Sequence, residues 1–119
     1  SKTLLSGNLI NNFMETGKNV LWIQTNYGLD RLDLKKTTSQ SFVEFKDNRF
    51  MTKSKDNELF TLKDDGYFYY YQQEKGTFRK LEVPQPAFEY ILSTTIDANN
   101  ILWVFTSNND NRTYQINKT

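Results

Sequence analysis

The chain has neither cysteine nor histidine among its 119 residues. Without thiols there is no disulfide framework and no thiolate metal site, and thiol usage gives no clue to the redox compartment. Without an imidazole, the usual base for a serine or threonine nucleophile is missing, which removes the common hydrolase arrangement. Glycine is scarce: Gly7, Gly17, Gly28, Gly66 and Gly76 stand singly, so no glycine-rich loop cradles a phosphate and nucleotide binding has no support. The two prolines, Pro84 and Pro86, fall together in one short stretch. No apolar run approaches the roughly 20 residues that span a bilayer, and no signal-peptide pattern opens the chain. Excess charge is missing too, since 15 basic and 14 acidic side chains leave a net charge of +1. Such a balance creates no field to attract nucleic acid or an anionic membrane, and neither is expected as a partner.

What is present is aromatic and repetitive. Hydrophobic residues make up 37% of the chain and aromatic ones 15%, enough to build the core of one small domain. One phrase recurs three times: Val20-Leu21-Trp22-Ile23-Gln24-Thr25, Glu58-Leu59-Phe60-Thr61-Leu62 and Ile101-Leu102-Trp103-Val104-Phe105-Thr106. A spacing of about 40 residues is that of propeller blades, and a repeat of this size buries its apolar face only by stacking on copies of itself. Alternation at period two runs throughout, with no sustained helical spacing, so the fold class is all-β. The pattern predicts a fragment of a β-propeller with about two and three-quarter four-stranded antiparallel blades.

The first blade is expected at about residues 8–46, with strands at 9–14, 20–25, 29–33 and 41–45. Gly17 and Gly28 in its first two connections are expected to supply positive φ. The second blade is expected at about 48–83, with strands at 49–53, 58–62, 67–71 and 77–81 between the turn signals Lys55-Asp56-Asn57, Asp64-Asp65-Gly66 and Glu74-Lys75-Gly76. Pro84-Gln85-Pro86 reads as a blade-to-blade connection, because proline cannot donate to a central ladder. The incomplete third blade is expected at about 88–117, with strands at 90–96, 101–106 and 112–116. Thr3-Leu4-Leu5 is a spare apolar segment, expected to be an outer strand of a preceding blade or to pair with an open edge. A chain that opens without an initiator methionine and stops inside the repeat predicts a segment of a longer protein. Its unpaired strand edges predict self-association.

The repeat suggests core roles for Leu21, Trp22, Leu59, Phe60, Leu102 and Trp103, with the aromatic member of each pair filling the wedge between blades. A ligand platform is the alternative. In the run Tyr67-Phe68-Tyr69-Tyr70-Tyr71, period two sends Tyr67, Tyr69 and Tyr71 to one face and Phe68 and Tyr70 to the other. Packing on both blade faces accounts for this, while Tyr67, Tyr69 and Tyr71 stay ligand-binding candidates because flat aromatic area beside hydroxyls suits sugar rings. The carboxylates of Asp30, Asp33, Asp56, Glu58, Asp64, Asp65 and Asp97 mostly fall in turn positions, where they cap their own backbone, and no pair stands out as catalytic. Asn108-Asn109-Asp110-Asn111 has the composition of a calcium loop but not its ligand spacing or closing glutamate. No cofactor, metal or catalytic residue is expected.

The stretch Leu21-Trp22-Ile23-Gln24-Thr25-Asn26-Tyr27-Gly28-Leu29-Asp30-Arg31-Leu32-Asp33 resembles the repeat of the two-component regulator propellers, whose usual form is Leu-Trp-Ile-Gly-Thr followed by a Gly-Leu turn and a polar-aromatic strand. Residues 97–106 are similar to the same element with its Asp-rich turn, although Asn108-Asn109-Asp110 replaces the Gly-Leu turn. The middle copy carries Phe60 in place of tryptophan and keeps a turn at Asp65-Gly66. The resemblance implies a periplasmic sensor region of a Bacteroides-type hybrid two-component histidine kinase, anchored in the inner membrane through parts outside this chain. It further implies a non-enzymatic segment that responds to oligosaccharides, controls glycan-utilisation genes and stacks on the remaining blades of its parent. Two other readings stay open: a propeller glycosidase or lyase acting on polysaccharides, and a structural or protein-interaction propeller.

Overall fold

The computed structural model describes residues 5–46, 50–82 and 90–116. Three antiparallel meanders account for the strands among them. Blade 1 consists of β1 (Ile10–Glu15), β2 (Val20–Thr25), β3 (Leu29–Asp33) and β4 (Thr38–Phe42), paired in that order. Blade 2 consists of β5 (Met51–Lys53), β6 (Leu59–Leu62), β7 (Phe68–Gln72) and β8 (Thr77–Lys80), and blade 3 of β9 (Ile91–Ile96), β10 (Ile101–Thr106) and β11 (Arg112–Gln115). The first strands β1, β5 and β9 lie beside one another, and the sheets stack face to face behind them. This is the geometry of a β-propeller segment, each blade running outward from the axis.

Two apolar seams hold the blades together. Between blades 1 and 2, Trp22, Leu29, Phe42 and Phe45 meet Met51, Leu59 and Tyr71. Between blades 2 and 3, Phe60, Leu62, Phe68, Tyr70 and Leu81 meet Ile91, Leu102 and Val104. The alternation of β7 feeds both seams, with Tyr71 and Tyr69 on the side of blade 1 and Phe68 and Tyr70 on the side of blade 3. A strand sandwiched between sheets needs apolar residues at successive positions, which explains the aromatic run.

The connection before each second strand also repeats. The N–H groups of Thr16, Ser54 and Asp97 donate to the carbonyls of Val20, Glu58 and Ile101 at 3.3, 3.0 and 3.0 Å. Each turn closes on an asparagine in the left-handed region, Asn19 at φ 65°, Asn57 at 61° and Asn100 at 59°. Asparagine tolerates that conformation better than residues with larger or branched side chains.

Four features differ from the sequence expectation. The fourth strand of blade 1 spans Thr38–Phe42, not 41–45, and Val43–Phe45 form a 3-10 turn. Thr37, at φ 54°, ends the preceding turn early, and the polar edge strand Thr38–Ser41 carries no alternation to reveal it. Gly28 lacks positive φ; its need is close approach, since a Cβ there would lie 3.1 Å from the Phe42 carbonyl oxygen and 3.2 Å from the Val43 Cα. Leu5 belongs to no strand, while Thr3 and Leu4 lie outside the described residues. Trp103 is 39% exposed, because no described element covers the outer face of blade 3. The Pro84-Gln85-Pro86 connection, Arg49, and the expected blade limits at 48, 83, 88 and 117 also fall outside the described residues.

Candidate functional site

The seam between blades 1 and 2 opens at one rim into a cleft of about 900 Å³, where the β1–β2, β5–β6 and β7–β8 turns meet. That volume lies within the range of small-molecule sites. Its floor is aromatic: Trp22 packs edge-on against Tyr71, ring centroids 4.8 Å apart at 72°. Trp22 is 1% exposed and Tyr71 8%, so both are chiefly wedge residues, and the Trp22 indole N–H is taken up by Thr16 Oγ1 at 3.0 Å.

Arg31 covers this floor. Its guanidinium carbon sits 5.4 Å from the Tyr71 ring centroid and 6.0 Å from that of Trp22, an arrangement favourable by about 0.5–2 kcal/mol. Register puts it there, since Arg31 lies directly opposite Trp22 on β3 and so shares its face. Arg31 is half-buried and has no ion pair among the described residues, where Arg112 pairs with Asp110 at 2.9 Å. Its planar donors are therefore available to a ligand. Gln72, Gln73 and Lys75 add polar groups at the rim, and Asp56, Glu58 and Glu74 add carboxylates. The cleft thus presents donors and acceptors of both charges above a buried aromatic wedge.

The three tyrosines named from sequence share one face but reach different surroundings. Tyr71 lines the large cleft, and its hydroxyl donates to Gln40 Oε1 at 3.5 Å. Tyr69 lines a smaller hollow of about 260 Å³ with Phe42, Phe45 and Phe78, and its hydroxyl donates to Asp65 Oδ2 at 2.5 Å. Burial pushes the Tyr69 phenol well above its ordinary pKa, and the Asp65 carboxylate adds to the shift. Tyr67 lies under the Lys80 ammonium, 3.8 Å from its ring centroid. The three do not form one site.

Several acidic groups are engaged by their own turns. Asp33 Oδ1 accepts from the Lys35 and Lys36 N–H groups at 3.1 and 3.0 Å, and Asp97 Oδ1 from Asn99 and Ile101 at 2.8 and 3.1 Å. Asp30 is fully buried on the other face of blade 1, where Oδ2 accepts from the Ser6 N–H at 2.7 Å and its hydroxyl at 3.0 Å. In the asparagine-rich turn, Asp110 pairs with Arg112, and Asn111 Oδ1 accepts from the Thr106 N–H at 2.7 Å. No cluster of three or more metal-ligating side chains occurs among the described residues. Among the described acidic residues, Asp56, Glu58 and Glu74 line the cleft. Sequence reasoning missed Arg31 and Glu74; the signal for Arg31 was its place opposite Trp22 in the hairpin.

No family model matches the chain, and no curated protein matches it either. Solved structures do share its fold. One is the extracellular domain of a protein from Bacteroides thetaiotaomicron described as a one-component system, at a TM-score of 0.68 and 18% identity over 96% of this chain. Another is the extracellular domain of a protein from the same organism described as a hybrid two-component system, at 0.66 and 18% over 98%. The WD40 propeller domain of Doa1 aligns at 0.64 and 14% over 92%. This chain spans 17%, 16% and 37% of those three chains. At such identities the likeness shows the β-propeller fold. Among the described residues, no helix is long and apolar enough to cross a membrane.

Proposed function

We propose that this chain is a non-enzymatic, ligand-sensing segment of a periplasmic propeller in a hybrid two-component sensor. Its signal would be an oligosaccharide and its output control of glycan-utilisation genes, with the histidine kinase and the remaining blades supplied by other parts of the parent protein. The observation that carries the signalling role is the fold shared over nearly the whole chain with extracellular domains of proteins described as one-component and hybrid two-component systems. The Leu-Trp-Ile hairpin at Leu21-Trp22-Ile23, whose Leu-aromatic pair recurs at Leu59-Phe60 and Leu102-Trp103, supports it from the sequence.

The saccharide part rests on the cleft, where Arg31, lying over the Tyr71 ring, and the rim amides offer donors. A ligand shifts a signalling equilibrium only through differential affinity for two states. A cleft shared by two blades meets that need, because closing on a ligand changes how the blades are seated.

Isothermal titration against a panel of neutral and acidic oligosaccharides tests this reading, with product analysis of the same mixtures. Saturable binding, weakened at least tenfold by Arg31→Ala, with the sugar recovered intact, is the expected result. Cleavage of the sugar would replace the sensor with a glycosidase or lyase. Silence across the panel would remove the saccharide, and would leave the cleft without a ligand.

A further inference from the structure

The guanidinium of Arg31 is a half-buried charge whose neighbours are already engaged. On β3 it stands between Trp22 of β2 and Gln40 of β4. The Trp22 indole N–H goes to Thr16 Oγ1, Gln40 Oε1 accepts from the Tyr71 hydroxyl, and Gln40 Nε2 donates to the Gly76 carbonyl at 3.4 Å. Asp33, two positions along on the same face of β3, turns its Oδ1 to the N–H groups of Lys35 and Lys36. The rings of Tyr71 and Trp22 beneath Arg31 stabilise a cation but leave its N–H edge without an acceptor. Asp56, Glu58 and Glu74 line the same cleft, and still Arg31 has no ion pair among the described residues. A rigid planar fork of N–H donors, partly withdrawn from water, gains most from an anion that arrives with the ligand.

We propose that the cleft selects an acidic saccharide, with the carboxylate of a single uronic acid residue bound bidentately by Arg31. This rests on the saccharide-sensing function proposed above and names the chemical class of its ligand. A carboxylate is planar and meets the guanidinium with two parallel N–H···O bonds, each stronger than a bond to a neutral sugar hydroxyl. Lys75, the other cation of the cleft, is exposed and supplies attraction without that planar match. The rim carboxylates limit the charge of the ligand. Asp56, Glu58 and Glu74 can accept from sugar hydroxyls but repel further anionic groups, so a lone uronate among neutral sugars is held and a chain charged on every residue is rejected.

Isothermal titration of the full chain with neutral oligosaccharides capped by one glucuronate or galacturonate, each beside the same molecule with its carboxyl reduced to an alcohol, reads the selectivity. At least one capped sugar is expected to bind at least tenfold more tightly than its reduced form, with the advantage shrinking as salt rises. In Arg31→Gln the two forms should bind within about twofold of each other. Equal binding of capped and reduced forms by the wild type would overturn the acidic class and leave the saccharide sensor standing, whereas no binding of either form would remove both. A preference that survives in Arg31→Gln would give the anion to another group, Lys75 foremost, and overturn the role of Arg31. If Arg31→Gln unfolds, NMR of the wild type decides: the Arg31 Nε–H resonance should move with the capped sugar and stay in place with the reduced one, and a resonance indifferent to both would equally overturn the proposal.

Discussion

Trp22 and Trp103 hold the same place in blades 1 and 3, and each indole N–H donates to the side chain six positions earlier, Thr16 at 3.0 Å and Asp97 at 2.8 Å. Their surroundings nevertheless part company. Trp22 is 1% exposed between two sheets, whereas Trp103 is 39% exposed on an outer face. One sequence signal thus has two energetic consequences.

Trp22→Ala should cost about 3–5 kcal/mol, the usual range for emptying a packed aromatic site. Trp103→Ala should cost no more than about 1–2 kcal/mol in the monomer, since a partly exposed ring has less transfer free energy to lose. Urea denaturation of dilute samples checks the ranking, and equal losses would contradict it.

Gln24 faces the seam at the position that Leu62 fills in blade 2; it is fully buried, and neither its Oε1 nor its Nε2 finds a partner among the described residues. Burying an unpaired amide costs about 1–3 kcal/mol, so Gln24→Leu should raise stability by up to that amount. A lowered denaturation midpoint would show that the amide has a partner worth keeping.

Asp97 holds the start of β10 through acidity as well as geometry. The Trp103 indole N–H above all, with the backbone N–H groups of Ile101 and Asn99, keeps its carboxylate below the ordinary value of 3.8. A group depressed in the folded state adds stability above its unfolded pKa, and that stability is lost as pH falls through the folded value. In an NMR titration, the Trp103 indole N–H should therefore shift at an acid midpoint below 3.8. Asp97→Asn should abolish that step.

The left-handed asparagines predict a simple substitution series. At Asn57, with φ 61°, glycine should be neutral or slightly stabilising, because it adopts this conformation freely. Asn57→Val should cost about 1–2 kcal/mol, since a branched side chain meets the following carbonyl there. Thermal melts of the pair give the answer, and a valine variant as stable as the glycine one would refute it.

Much of the fold was legible because blades are local. The boundaries of β2, β3 and β10 follow from alternation bounded by turn residues, and the two faces of β7 follow from period two in the run of aromatics at 67–71. The edge strand Thr38–Phe42 was shifted in the sequence reading because solvent covers most of it and leaves its polar residues without a pattern. Of the cleft, Tyr71 was among the sequence candidates and Arg31 was legible only through its place opposite Trp22 on β3, while Glu74, in the β7–β8 turn, joins them only when two blades are brought together.

By itself the sequence determined three copies of a hairpin unit and the inward and outward alternation of each strand, because hydrogen-bond pairing across short turns is a near-neighbour affair. Only the tertiary structure decided which copies of the repeated Leu-aromatic pair are sealed and which face outward. Burial is a property of two surfaces, and the chain places Trp22 between sheets while leaving Trp103 at the end of the stack.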